Sequence, residues 1–473
     1  VTPPVVCGVD ASTQSCTVEL RDATDGRLLG RGRAGHPPVT PPVAEQDPAA
    51  WWAALTAARA EALDAARDEV GTASPPPPEA TYVAAQQHGL VVTDAAGVPL
   101  RPAKLWCDTT TAPDAAWLRD RLPGGPSAWA AACGTVPVAS LSITKLSWLH
   151  RCEPETFRRM ERVMLPHDWL AWRLGGPWCT DRGDASGTGW WSPAEGRYRP
   201  DLLAVVDDGR DWDALLPPVA APEAATGTGD NMAAALGAAL EPGDVLVSLG
   251  TSGVVCARSV TPVADPTGAV AGFADATGGF LPLVCTLNAT KVTDALARLL
   301  GVDHAGLDRL ARDAPPGAGG LVLVPHFDGE RTPDRPDATG TLRGLRSDVT
   351  PAQVARAGFE GVLCGLLDAL DALDAVGVRT DGRLVVTGGG ARSAAYRQLL
   401  ADLAGRPVEV PAEPDLAPLG AAVAAAARAA GVPVAAVTAA WGLPWRSAVV
   451  EPELPAAVAA EIRHRYRQVR DLP

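Results

Sequence analysis

No Cys-x-x-Cys pair occurs anywhere in the chain, and its nine cysteines (Cys7, Cys16, Cys107, Cys133, Cys152, Cys179, Cys256, Cys285 and Cys364) are odd in number and scattered. A disulfide framework or zinc site needs paired spacing, so these read as reduced core thiols of a cytoplasmic protein. Apolar runs of about 18 residues without polar interruption are also missing, which excludes a membrane-spanning helix. The start, VTPPVVCGVD, carries neither a basic region nor a long apolar stretch, so no secretory signal is expected. Lysine is nearly absent, with only Lys104, Lys145 and Lys291, and 55 acidic against 41 basic residues leave a formal charge of −14. That balance argues against nucleic acid or an anionic membrane as a partner. No GxGxxG turn follows the first apolar run, which discourages a Rossmann dehydrogenase.

What remains is a globular chain, 47% hydrophobic and 20% charged, whose 473 residues exceed one ordinary core and predict two domains. Two segments far apart read as one device: Val5 to Leu20 (VVCGVDASTQSCTVEL) and Val245 to Arg258 (VLVSLGTSGVVCAR). Each is an apolar, β-branched run that enters a turn of small residues and leaves it as a second apolar run, the pattern of a β-hairpin. Backbone N–H groups at such turns can converge on an anion because no bulky side chain blocks a phosphate. Two copies half a chain apart predict a duplicated domain with a polyphosphate held between the halves. With so few lysines, its charge would fall to backbone amides, arginine and a divalent cation.

Between the hairpins, Pro48 to Val70 predicts a helix with Asp47 as N-cap and Pro48 at N1. The linker Ser74 to Ala80 cannot continue it, and two strand-like runs then flank the turn Gln86, Gln87, His88, Gly89. Helical stretches are expected near Pro113–Arg121, Lys145–His150 and Pro154–Arg173, and a loop over Asp181 to Trp191. A Pro- and Ala-rich stretch, Pro217 to Ala225, sets the expected boundary, giving a first domain over 1–221 and a second over 222–473. Leu419 to Ala430 reads as a buried helix packed by small residues. The Arg-rich segment Pro455 to Leu472 reads as a helix, with a return to the first domain left open.

Eleven segments in order, GVDAST, EQDPAAWW, QQHG, RPAKLWCDT, LPHDWL, TDRGDASGT, GTGDNMAAALG, SLGTSGVV, DGERTP, VTGGGARS and PLGAA, give the chain its resemblance to a known family. It resembles the FGGY carbohydrate kinases of the sugar kinase, heat-shock protein and actin superfamily, and among them most closely the members that act on xylulose. The resemblance spans nearly the whole chain. It implies an α/β fold of two ribonuclease H-like (actin-like ATPase) domains with an interdomain cleft, an N-terminal sugar-binding half and a C-terminal nucleotide-binding half. ATP and Mg2+ are the implied cofactors, and sugar and ATP the small-molecule partners. A homodimer is left open.

Residue by residue, the resemblance makes Asp10 the carboxylate that approaches the nucleotide phosphates and orders the metal, a role suited to a hard oxygen ligand. An Asx turn is its plain alternative. Ser12 and Thr13 would face the phosphates, although Ser12 stands where the family usually has glycine. Asp230 would be the catalytic base, taking the proton of the attacking hydroxyl, while an N-cap is its ordinary role before a helix. Gly250, Thr251 and Ser252 match the second phosphate turn. Gly388, Gly389, Gly390, Ala391 and Arg392 match the adenosine-binding turn, where close strand-to-helix packing is the alternative. Gln87, His88 and Gly89, with Asp108 and Asp230, match the ketose pocket. Relatives commonly read LWNDxR where this chain has Cys107 and Thr110.

Other groups receive plainer expectations. Asp181 and Asp184 read as loop-ordering residues, Glu330 and Arg331 as a pair with each other or an ordering element of the cleft, and Lys291 as a solvated surface group. Trp106, Trp190 and Trp191 are candidates to stack on sugar, with buried packing as their commoner fate. The expected reaction is ATP-dependent phosphorylation of D-xylulose to D-xylulose 5-phosphate. Ribulose, gluconate or glycerol as acceptor, and a non-catalytic actin-like ATP sensor, are the alternatives.

Overall fold

Apolar alternation in Val5–Ala11 and Ser15–Asp22 closes the first hairpin, with Ala11 opposite Cys16 and the turn at Ser12, Thr13 and Gln14. In the computed structural model, which describes residues 3–70, 77–443 and 447–472, both strands are almost wholly buried. Residues 74–76 of the expected linker lie outside the described residues. Two strands, Ala80–Ala85 and Gly227–Gly229, extend this sheet in parallel on one side, and Leu28–Gly35 extends it antiparallel on the other.

The second hairpin seeds a sheet of the same plan. Val245–Leu249 pairs antiparallel with Gly253–Ala257, which pairs antiparallel with Phe280–Thr286. On the other side Leu384–Thr387 and then Val408–Pro411 add in parallel. Order and sense thus repeat strand for strand, which is the duplication expected from the two hairpins.

The chain forms two compact units: residues 1–240, 260–281 and 415–445, and residues 241–259, 282–414 and 446–473. In the first, the helix Pro48–Val70 packs on Leu28–Gly35, and Leu416–Ala430 packs on Val5–Ala11 and on the helix Asp230–Gly237. The latter contact is backbone to backbone, since a Cβ on Gly420 would lie 1.8 Å from the Ala233 carbonyl oxygen. Gly420→Ala should therefore destabilise the protein. Helix propensity would gain about 1 kcal/mol, but overpacking against backbone costs about 1–3 kcal/mol. A raised melting temperature in calorimetry would contradict this packing. In the second unit Thr350 caps the helix Pro351–Ala375, accepting from the Gln353 amide at 3.3 Å in a reciprocal capping box.

Several expectations are corrected. The first unit runs on to Leu240, beyond the expected boundary at 221, because Gly227–Gly229 completes its sheet and Asp230–Gly237 packs on Leu416–Ala430. The terminal helix Ala456–Arg470 groups with the second unit. Its Arg463 pairs with Asp371 at 2.6 Å, Arg470 pairs with Asp368, and Tyr466 is buried beside them. The expected helix over 154–173 breaks into Pro154–Arg159, the strand Arg162–Met164 and Pro166–Arg173. Antiparallel pairing of Val163 with Val92 wins over helical continuity there. Inside the expected loop 181–191, Asp181 caps a short helix, Arg182–Ala185. Among the described residues no single helix is long and apolar enough to cross a membrane, although Leu416–Ala430 and Val434–Ala440 pass that test as a pair bent by 112°.

Candidate active site

Parallel pairing brings three chain segments to one sheet end. Asp10 is in register with Ala84, and Gly229 with Ala85, so the residues leaving these strands, Asp10 to Thr13, Gln86 to His88 and Asp230, emerge side by side. Asp10, Ser12, Thr13, Asp230 and Asn231 are partly exposed where their surroundings are buried, which leaves this edge open to a ligand.

Asp230 is the first residue of its helix; Gly229 is the N-cap. Its Oδ1 accepts from the Asn231 amide at 2.8 Å and from Asn231 Nδ2 at 3.0 Å. Asn231 Nδ2 also donates to Gln87 Oε1 at 2.9 Å, so the QQHG turn steers the group that holds the carboxylate. Loss of hydration, and then the charges of Asp10 and Asp184, push the Asp230 carboxyl up to about 8. A carboxyl so destabilised as an anion has a strong drive to take a proton, as a general base requires.

Desolvation also lifts Asp10, to about 6, against the hydrogen bond that Ser12 Oγ donates to its Oδ2 at 2.6 Å. The serine that replaces the family's usual glycine thus orients the metal candidate. Asp10 Oδ1 is buried and has no hydrogen-bond partner. An orphaned anionic oxygen fits a cation. Among the described residues no group of three or more His, Cys, Asp and Glu side chains forms a cage, so the donor set suits a metal that keeps its waters and binds chiefly through phosphate. The turn itself is held from several sides. Thr13 Oγ1 donates to Gln86 Oε1 at 3.1 Å and accepts from Trp106 Nε1 at 2.9 Å, His36 Nδ1 lies 2.9 Å from the Ser12 carbonyl, and Gln46 Nε2 donates to the Thr13 carbonyl at 3.1 Å.

Asp108, expected in the ketose pocket, is tied into its own loop. It is fully buried and accepts from the Ala44 amide at 2.9 Å, the Thr110 amide at 3.0 Å, the Thr110 hydroxyl and Lys104 Nζ at 3.1 Å. Burial would raise its carboxyl, but these partners, Thr110 foremost, hold it below the ordinary value. It organises its loop, and Thr110 is the partner that does so. Gly89 acts by absence of a side chain, since a Cβ there would lie 2.6 Å from the Pro166 ring. Trp190 and Trp191 are buried in packing.

Behind Asp230 lies a buried ionic cluster that sequence reasoning underrated. His167 Nδ1 is 2.9 Å from Asp184 Oδ2, and its Nε2 is 2.9 Å from Asp168 Oδ1 and 3.6 Å from Asp181 Oδ1. Burial works to neutralise the imidazole, but Asp168 and Asp184 overcome it and hold it well above its ordinary value. Asp184 is pushed up to about 6 by burial in spite of His167, and its Oδ1 is a buried oxygen without a hydrogen-bond partner. The segments LPHDWL and DRGDASGT were the signal, but nothing local says that they meet.

In the second unit the same strand plan sets two turns side by side. Ser248 is in register with Thr387, so Gly250 to Ser252 and Gly388 to Arg392 leave neighbouring parallel strands. The Gly250 carbonyl accepts from the Thr290 amide at 3.0 Å, and that of Thr251 from the Ala289 amide at 3.2 Å. Gly388 has φ +89°, and a Cβ there would lie 2.7 Å from the Leu249 carbonyl oxygen, whereas Gly389 faces open space. A tight turn with one open glycine face suits a flat ring laid on backbone. Gly389–Arg392 form a 3-10 turn, after which Ser393 caps the helix Ala394–Ala404 through the Tyr396 amide. Glu330 meets Arg331 through the backbone amide, at 2.8 Å, and spends its other bonds on Leu287 and Asn288, so it orders a loop. Lys291 pairs with Asp328 at 2.9 Å.

Two sheets of one plan, each ending in a small-residue turn beside a second turn, define the actin-like ATPase fold. A model described as the N-terminal domain of the FGGY family of carbohydrate kinases matches residues 5–256, and that of the C-terminal domain matches residues 245–429. The chain belongs to the FGGY family and is a carbohydrate kinase, a class that uses ATP. It is 44% identical to a xylulose kinase of Streptomyces coelicolor, over 93% of this chain and 91% of that protein, and 43% identical to one of Streptomyces rubiginosus over the same shares. The crystal structure of a xylulose kinase from Bifidobacterium adolescentis matches with TM-score 0.83 and 36% identity, over 99% of this chain and 100% of that one.

Proposed function

We propose that the protein transfers the γ-phosphoryl group of ATP to D-xylulose, giving D-xylulose 5-phosphate, with Asp230 as general base. The observation that carries this is the convergence of Asp10, Asp230 and the Gln87–His88 turn at one sheet end of the first unit. Gln87 and His88 recognise sugar hydroxyls, because a site of buried polar groups penalises any acceptor that leaves them unpaired. Asp230, held by Asn231, receives the proton of the terminal hydroxyl as its oxygen attacks phosphorus. The turns Gly250–Ser252 and Gly388–Arg392 bind nucleotide, through backbone amides and an open glycine face. Asp10 would hold Mg2+, which would supply positive charge to neutralise the negative charge that builds on the phosphate oxygens during transfer.

A panel of D-xylulose, D-ribulose, gluconate and glycerol, read by coupled ADP release, tests the acceptor. D-Xylulose should show the highest kcat/KM. Equal or better turnover of another acceptor overturns the xylulose reading.

A further inference from the structure

The His88 ring is seated by a segment that the chain lends from outside its own neighbourhood. Residues 260–281 pack with the first unit, although the chain on either side of them belongs to the second. The segment is firmly fastened. The Gly272 amide donates to the Gly134 carbonyl at 2.8 Å, and the Ala274 amide to Ser186 Oγ at 2.9 Å. Arg182 reaches the Asp275 carboxylate at 3.4 Å and also the Gly279 carbonyl. Between these anchors Phe273 is 1% exposed, and its ring centroid stands 5.3 Å from that of His88, at an interplanar angle of 47°.

A further wall comes from Gly187, where a Cβ would lie 2.3 Å from His88 Cε1. His88 itself adopts φ +65°, a left-handed conformation that costs a side-chain-bearing residue free energy unless its surroundings impose it. Its carbonyl accepts from Ser142 Oγ at 3.1 Å. Backbone, aromatic neighbour and glycine wall together over-determine where the imidazole points.

We propose that Phe273 and Gly187 are positioning residues that fix the His88 imidazole and so set which sugar the kinase selects. This rests on the reading of His88 as a sugar contact. Sugars that differ in one stereocentre differ mainly in where a hydroxyl points, so discrimination needs a partner held to within a fraction of an ångström. An imidazole free to swing would satisfy either epimer.

Phe273→Leu should raise the KM for D-xylulose about tenfold, the order of one lost aromatic contact plus loosened geometry. The KM for ATP and kcat should stay within about twofold. The ratio of kcat/KM for D-xylulose over D-ribulose should fall by a similar factor. In a His88→Ala background the same change should add nothing, because there is no ring left to position. Gly187→Ala, which displaces the ring from another side without emptying the core, should behave likewise, and it decides the matter if Phe273→Leu does not fold. An unchanged sugar KM, or the same loss with and without His88, overturns the proposal. A wild-type enzyme that prefers another acceptor overturns the xylulose reading alone, and the same cycle is then read with that acceptor.

Discussion

Asp230→Asn is expected to lower kcat about 10³-fold, in the middle of the range for loss of a general base, while nucleotide binding measured by calorimetry stays within about twofold. The asparagine oxygen can still accept from the Asn231 amide, so local structure should persist and the loss should report chemistry. In the wild type kcat/KM should rise with pH through the Asp230 value of about 8, because only the carboxylate accepts the proton. The same group should cost stability. Its folded value lies above the ordinary carboxyl value of 3.8, so the fold escapes the cost below that pH, takes it on as pH rises, and bears it fully above about 8. Asp230→Asn should therefore melt at the same temperature as wild type near pH 4 and higher near pH 8. Retained sugar-dependent turnover, or a melting difference that does not grow with pH, would sink the assignment.

The second large effect concerns His167. Its replacement by leucine keeps much of the volume but leaves Asp168, Asp181 and Asp184, none more than 2% exposed, without their cation. Breaking a buried ion pair by removing one partner costs about 3–5 kcal/mol, or about 10 °C in melting temperature for a unit of this size. The pH dependence separates this from a packing defect. The folded value of His167 lies well above its ordinary value of 6.5, so its stabilisation is complete below that pH and is lost as pH rises through the folded value. In the variant the carboxylates escape their cost only when acid protonates them. The gap in melting temperature between wild type and His167→Leu should accordingly be widest near neutrality and shrink in acid. A gap that stays constant from pH 4 to 7 would mean that the carboxylates do not bear the cost of the lost cation, and would overturn this account of the cluster.

Much of this protein is legible in local chemistry. Asp47 and Pro48 announce the first long helix, the small-residue turns announce both hairpins, and the alanine run from Leu419 reads as buried. These depend on neighbours in sequence, whose preferences act before any tertiary contact forms. The gaps share one cause. Pro154 to Arg173 reads as helical until Val163 finds Val92, and nothing local in the terminal helix says that Asp368 and Asp371 hold its arginines. Nor does local sequence say that Ala44, Thr110 and Lys104 bond the oxygens of Asp108.

By itself the sequence determined the two phosphate-sized turns, the carboxylates Asp10 and Asp230, and the polar QQHG turn, since the capacity of a side chain or bare amide for chemistry is carried by its own atoms. Only the tertiary structure decided what these groups do together. Parallel register sets Asp10, Gln87 and Asp230 at one sheet end, Asn231 bonds Gln87 across 144 residues of chain, and His167 is caged between its neighbour Asp168 and the remote carboxylates Asp181 and Asp184. Proton affinity, ring position and selectivity follow from distance and loss of water, and those exist only once remote segments pack.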